Sequence, residues 1–116
     1  MRPEDFQDKY TLVERRKEFL RITSRHPQSV PVIVQPNCDD TVDIDKSKFV
    51  VPKDLEYCRF LYVIRTRLKM RKDQAIFMFV NNRLPAASKT MGSIHETNAS
   101  EDGFLYVTYA FENTFG

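Results

Sequence analysis

Two histidines, two cysteines and sixteen carboxylates are the side chains from which this 116-residue chain would build a catalytic or metal centre. Their spacing favours neither. His26 stands beside Pro27 where a helix should end, His95 falls in a polar stretch, and Cys38 and Cys58 are distant from each other. There is no metal-ligand spacing and no glycine-rich phosphate loop. A Cys–His nucleophile has no supporting local signature. The group that invites chemistry stands at the end of the chain. Phe104-Leu105-Tyr106-Val107-Thr108-Tyr109 is almost wholly aromatic or β-branched and follows the turn-like Glu101-Asp102-Gly103. That stretch reads as a strand buried on both faces, in the middle of a sheet and between parallel neighbours. Glu112-Asn113-Thr114 cannot prolong it, so Glu112–Gly116 is expected to form an exposed, mobile tail. Five extended residues reach about 17 Å. Gly116 has no side chain to obstruct attack at its carboxyl carbon. Its carboxylate could therefore react in another protein's active site, with no catalytic residue in this chain.

The elements that must position this tail can be taken in order. Pro3, Glu4 and Asp5 suit the start of a short helix over residues 3–10. Thr11 and Glu14 form a capping box for a helix to about Arg25. Its apolar residues are Leu12, Val13, Phe19, Leu20 and Ile22, and its other side is basic. Val30-Pro31-Val32-Ile33-Val34 is a strand, although Pro31 must turn its missing N–H to an edge or bulge. Lys46-Ser47-Lys48-Phe49-Val50-Val51 is the next, closed by Pro52; Lys46, Lys48 and Val50 point one way, Ser47, Phe49 and Val51 the other. Two lysines on so short a strand also suit an exposed sheet edge.

Asp54 is the expected cap of a helix to about Lys69, with Leu55, Phe60, Leu61, Ile64 and Leu68 at helical spacing. Residues 75–80 form a strand, Asn81-Asn82 a two-residue turn into a short strand at Arg83-Leu84-Pro85, and Thr90 opens one short helical turn. A hairpin, a helix across it and a last strand inserted centrally make an α+β, ubiquitin-like β-grasp core preceded by two N-terminal helices. Residues 1–26 are the helical extension and 27–116 the β-grasp domain with its tail, one compact domain overall.

Bulk properties exclude several classes. The chain supports a single core without disulfides or metal, and its net charge of +2 makes no field for nucleic acid. Arg59 to Lys72 does carry six basic residues and no acidic one. Most of that run lies on one helix without aromatic stacking partners, so no nucleic-acid partner is expected. No apolar run approaches a membrane span and Met1-Arg2-Pro3-Glu4-Asp5 begins no signal peptide, so a cytosolic protein is expected.

The chain resembles a known family, the ubiquitin-like autophagy modifiers typified by GABARAP and microtubule-associated-protein light chain three. The likeness runs from Leu12 to Gly116. It rests on Glu18 with Ile22, Val30 to Val34, Asp45 to Pro52, Phe60 through Arg67, Phe77 to Asn82, Thr90-Met91-Gly92, Phe104-Leu105-Tyr106 and Phe115-Gly116. The joint order and spacing of these fragments is specific.

The resemblance implies a modifier, not an enzyme, that uses no cofactor. Gly116 would be activated by an E1-like enzyme, passed to an E2-like cysteine and joined to phosphatidylethanolamine on the autophagosome membrane. A cysteine protease would process and deconjugate it. It also implies binding of receptor and adaptor peptides with an aromatic residue and, three residues later, an aliphatic one, added as a strand to a sheet edge. By resemblance the aromatic pocket is Glu18, Ile22, Pro31, Lys48, Val50 and Phe104, with Lys46 as a gate. The aliphatic pocket is Phe49, Val51, Pro52, Leu55, Phe60, Val63 and Arg67. Lys46, Lys48 and Arg67 would attract acids that flank such peptides.

Read without the resemblance, the apolar members of both pockets are core residues. The alternative function is an unconjugated ubiquitin-like binding module in vesicle trafficking or microtubule association. Ser29, Val50, Leu12 and Gln35 depart from the usual basic residue, leucine, phenylalanine and glutamate. Phe77 and Phe79 match a further docking patch of the family and equally suit a buried strand.

Overall fold

A computed structural model describes residues 5–37 and 43–112. The first helix, α1 (Phe6–Lys9), is shorter than expected. It is fastened by Gln35, whose Oε1 accepts from the Phe6 N–H at 3.0 Å. The capping box is formed as read: Glu14 N–H donates to Thr11 Oγ1 at 3.2 Å, and Thr11 N–H to Glu14 Oε1 at 2.8 Å. It opens α2 (Leu12–Arg25), and the His26 N–H closes the helix on Ile22 O at 2.8 Å.

Four strands, β1 (Ser29–Pro36), β2 (Lys48–Pro52), β3 (Ile76–Phe79) and β4 (Leu105–Phe111), form one sheet in the order β2-β1-β4-β3. β4 is interior, as expected. Its neighbours are not both parallel: it runs parallel to β1 and antiparallel to β3. Phe104 precedes the strand, and the ladder lasts one residue beyond Phe111, the Glu112 N–H donating to Ala75 O at 3.0 Å. Glu112 is thus held by the sheet and is not part of an exposed tail, and Asn113–Gly116 lie outside the described residues.

Pro31 sits in an interior strand. The Val34 N–H donates to Ser47 O and the Lys53 N–H to Gln28 O, so the even-numbered residues of β1 face β2. Pro31 therefore turns its missing donor toward β4, one residue before that ladder opens at Val32↔Leu105.

The helix across the hairpin, α3 (Tyr57–Arg67), starts two residues later than Asp54 would place it, and Asp54 lies in a turn. Its first amides are satisfied from elsewhere in the chain: Tyr57 N–H by Lys89 O at 2.8 Å and Cys58 N–H by Ala87 O at 3.0 Å. Asn81 and Asn82 both have positive φ, 51° and 64°, as a tight hairpin turn demands. The expected strand at Arg83–Pro85 reduces to a single bridge, Val80↔Arg83. α4 (Met91–Asn98) runs eight residues, longer than the single turn expected, and Thr90 caps it through Ser93 N–H.

Helices cover both faces of the sheet. On one, Val30, Val32, Val34, Leu105, Val107 and Tyr109 pack with α3 and α4 through Phe60, Ile64, Met91 and Ile94. On the other, Ile33, Ile22 and Phe104 close a smaller cluster with Phe6, Phe19 and Tyr106. Gly103 is obligatory at that junction. Its φ is +95°, and a Cβ there would lie 2.5 Å from the Phe19 ring.

Candidate peptide-binding edge

β2 is an edge strand: among the described residues its one strand partner is β1. Strand geometry sends Phe49 and Val51 to the α3 face and Lys48 and Val50 to the α2 face. The sequence reading placed Lys46 with the second pair, and the structure corrects this. Lys46 precedes the strand, so alternation does not govern it, and its Nζ lies 5.2 Å from the centroid of the Phe49 ring.

On the α2 side, Glu18 is bound by Lys48 Nζ and, in two-point fashion, by Arg21 Nε at 2.7 Å and Nη2 at 2.8 Å. The Arg21 hydrogen bonds, with help from Lys48 and against the cost of burial, lower its carboxyl pKa to about 2. Glu18 is thus an anion at neutral pH, and it already partners Lys48. Val50 is 41% exposed, whereas Ile22 is 4% and Phe104 0% exposed. Pro31, opposite Val50, is buried. Phe104 therefore underlies the pocket, held edge-on by Phe6 at 5.1 Å and Phe19 at 5.7 Å, and offers no surface of its own.

Beside this pocket lies a cleft of 330 Å³ lined by Phe6, Tyr10, Glu14, Arg15, Glu18 and Lys48. Sequence reasoning missed Phe6, Tyr10, Glu14 and Arg15. A usable signal was the four-residue spacing of Phe6 and Tyr10, whose rings stand 5.1 Å apart.

On the α3 side, Phe60 is fully buried and Phe49 and Val51 nearly so. Leu55 is half-buried, and Pro52, Val63 and Arg67 are exposed. The bland reading therefore holds for Phe49, Val51 and Phe60, which are core residues. Val63 and Arg67 also line an open cleft of 550 Å³ with Asp45, Tyr62, Thr66 and Lys69. Tyr62, missed in the sequence, is 70% exposed. Arg67 is paired with Asp45 at 2.9 Å, a solvent-exposed pair of small energetic weight.

One buried network sets α2 against the start of β4. Asp102, 1% exposed, accepts from Arg15 Nη1 at 3.2 Å, Tyr106 Oη at 2.5 Å and the Phe104 N–H at 2.9 Å. Burial, then the Asp102 hydrogen bond, raise the Tyr106 phenol above its ordinary pKa. This acid aligns α2 with the start of β4, a role its place in a polar turn did not announce.

The titratable groups first considered for catalysis do other work. His95 Nε2 bonds Gly103 O at 2.7 Å and its ring stacks on Phe19. Cys58 is exposed and Cys38 lies outside the described residues, as does Gly116. Among the described residues, no cluster of three His, Cys, Asp or Glu side chains could hold a metal. None of their helices is long and apolar enough to cross a membrane.

A mixed sheet grasping α3, with its last strand inserted in the interior, defines a ubiquitin-like protein; the two helices on the reverse face narrow the class. Residues 14–116 match the family described as autophagy protein Atg8, ubiquitin-like. The rice autophagy-related protein 8B (Oryza sativa subsp. indica) is 45% identical over 117 residues, covering 100% of this chain and 98% of its own. Autophagy-related protein 8 of Schizosaccharomyces pombe is 44% identical, covering 96% of this chain and 93% of its own. The crystal structure of Trypanosoma brucei ATG8 superposes with a TM-score of 0.87 at 29% identity, over 96% of this chain and 97% of that one. The chain belongs to the Atg8 family of ubiquitin-like autophagy proteins.

Proposed function

We propose that this protein is conjugated through Gly116 to phosphatidylethanolamine on autophagosomal membranes and there recruits receptors carrying aromatic-x-x-aliphatic peptides. In this reading the chain is the substrate of E1-like and E2-like enzymes and of a processing cysteine protease, and it is cytoplasmic until lipidated. The observation that carries the adaptor role is the edge of β2, which has no strand partner on its outer side among the described residues, with Val50 and Glu18 beside it on one face and Leu55, Val63 and Arg67 on the other. A peptide strand laid along that edge would satisfy its backbone groups and present alternate side chains to the two faces.

The test is a pair of variants. Gly116→Ala should abolish the faster-migrating, membrane-associated form while leaving peptide binding intact. Val50→Arg should do the reverse. It puts a charge where an aromatic ring must be desolvated, at a site exposed enough to keep a cooperative melt. Peptide binding by Val50→Arg at the wild-type level would remove the groove, and lipidation of Gly116→Ala would remove the conjugation site.

A further inference from the structure

Away from β2, the turn after β3 and the helix α4 enclose a second cleft, of 480 Å³, that shares no lining residue with either pocket of the edge strand. Its volume falls in the range of ligand sites. Val80 and Ile94, both buried, form the floor, and Pro85 and the exposed Leu84 form an apolar wall. Arg83 and Lys89 stand on the rim, and no acidic residue lines the cleft. Neither cationic side chain has a hydrogen-bonded or ionic partner among the described residues.

The walls are also fixed in place. Asn81 and Asn82 hold the tight turn at positive φ, and the Val80↔Arg83 bridge closes it. Asn81 Nδ2 donates to Asn98 Oδ1 at 2.9 Å, and Asn98 Nδ2 to Ile94 O at 3.0 Å, which ties the turn to α4. A site built this way needs little ordering when a ligand arrives.

We infer that this cleft is a docking site for an acidic linear peptide that places one aliphatic side chain against Leu84 and Pro85 and carboxylates against Arg83 and Lys89. Cations without partners among the described residues, on a rim without acids, give the charge complementarity. The exposed leucine beside them asks for an apolar partner, which a free anion or a phosphate headgroup would not supply. The site is separate from the β2 edge, so one partner bearing two motifs could hold both at once and gain avidity without new contacts.

The experiment titrates the full-length, ¹⁵N-labelled protein with an acetylated nine-residue peptide of glutamates around a central leucine. Amide shifts are expected at residues 83, 84, 86, 97 and 98 and not at 48–51. The Arg83→Glu, Lys89→Glu double variant should bind about tenfold more weakly, and replacing the peptide's leucine by serine should weaken binding several-fold. Both substituted positions are exposed, so the melt should be unchanged; if the double variant does not fold, Arg83→Ser alone is read for the same loss of affinity. Shifts confined to β2, equal affinity of the charge-reversed variant, or equal binding of the serine peptide each overturn the proposal. So does a response of the same amides to phosphatidylcholine vesicles containing phosphatidylserine that exceeds the response to peptide.

Discussion

On the α3 side of β2, Phe49 and Val51 descend into the core that holds Phe60 and Ile64; on the α2 side, Lys48 and Val50 meet a carboxylate, an open cleft and a small aromatic cluster. Toward α3 the strand contributes residues the fold cannot spare. Toward α2 it contributes Lys48 and Val50, whose loss leaves most of the apolar burial in place. One strand therefore presents two faces with unequal tolerance to substitution. Binding and folding should be separable on one side and entangled on the other.

The largest expected effect lies on the entangled side. Phe60→Ala should cost about 3–5 kcal/mol of stability, from lost burial and the cavity left behind. Peptide binding should then fail together with the cooperative melt. Val50→Arg should lose binding alone, and a Phe60→Ala protein that melts like wild type would erase the contrast.

Asp102→Ala comes next, at about 3 kcal/mol. It removes the acceptor shared by the Arg15 guanidinium, the Tyr106 hydroxyl and the Phe104 amide, the last of them fully buried. Chemical denaturation measures the loss. Because α2 is a wall of the proposed aromatic pocket, weakened peptide binding should accompany it.

Glu18 tests the charged side through pH. Its carboxyl, at about 2 against an ordinary 4.5, is lower in the folded state, so its contribution to stability is complete above about 4.5 and disappears as pH falls toward 2. The difference in Tm between the wild type and Glu18→Gln should therefore be present at pH 7 and close across that window. A difference that stays constant down to pH 2 would mean that the pairing with Arg21 and Lys48 contributes nothing.

The smallest effect belongs to the core side. Among the described residues the buried Tyr57 Oη has no hydrogen-bond partner, and burial raises its pKa. Tyr57→Phe should stabilise the protein by about 1 kcal/mol, read as a raised denaturation midpoint with unchanged slope. A loss of stability would reveal a partner for the hydroxyl.

What the sequence disclosed was local. Thr11 and Glu14 stand three apart and cap their own helix, and alternation along 48–51 separates the two faces of β2. Non-local arrangements stayed hidden. The start of α3 is capped by the carbonyls of Ala87 and Lys89, some thirty positions downstream, so the nearby Asp54 misled. Lys46 follows no strand periodicity because it lies outside the strand. Phe104 was expected to be buried and is, but one ring that covers it comes from α1, whose position is set by a side chain of β1, Gln35.

The parallel pairing of β1 with β4 also has a meaning for synthesis. Val32 meets Leu105, and of the described elements β4 is the last to leave the ribosome. Until it does, β1 is without the neighbour that belongs between it and β3, and Val32, Ile33 and Val34 have one ladder rather than two. A nascent chain halted before Leu105 would hold α1 to α4 and a hairpin but no closed sheet. Such a chain offers holdase chaperones an apolar strand edge, and its folding waits on contacts of long sequence separation. Translation of the final strand would act as the release signal.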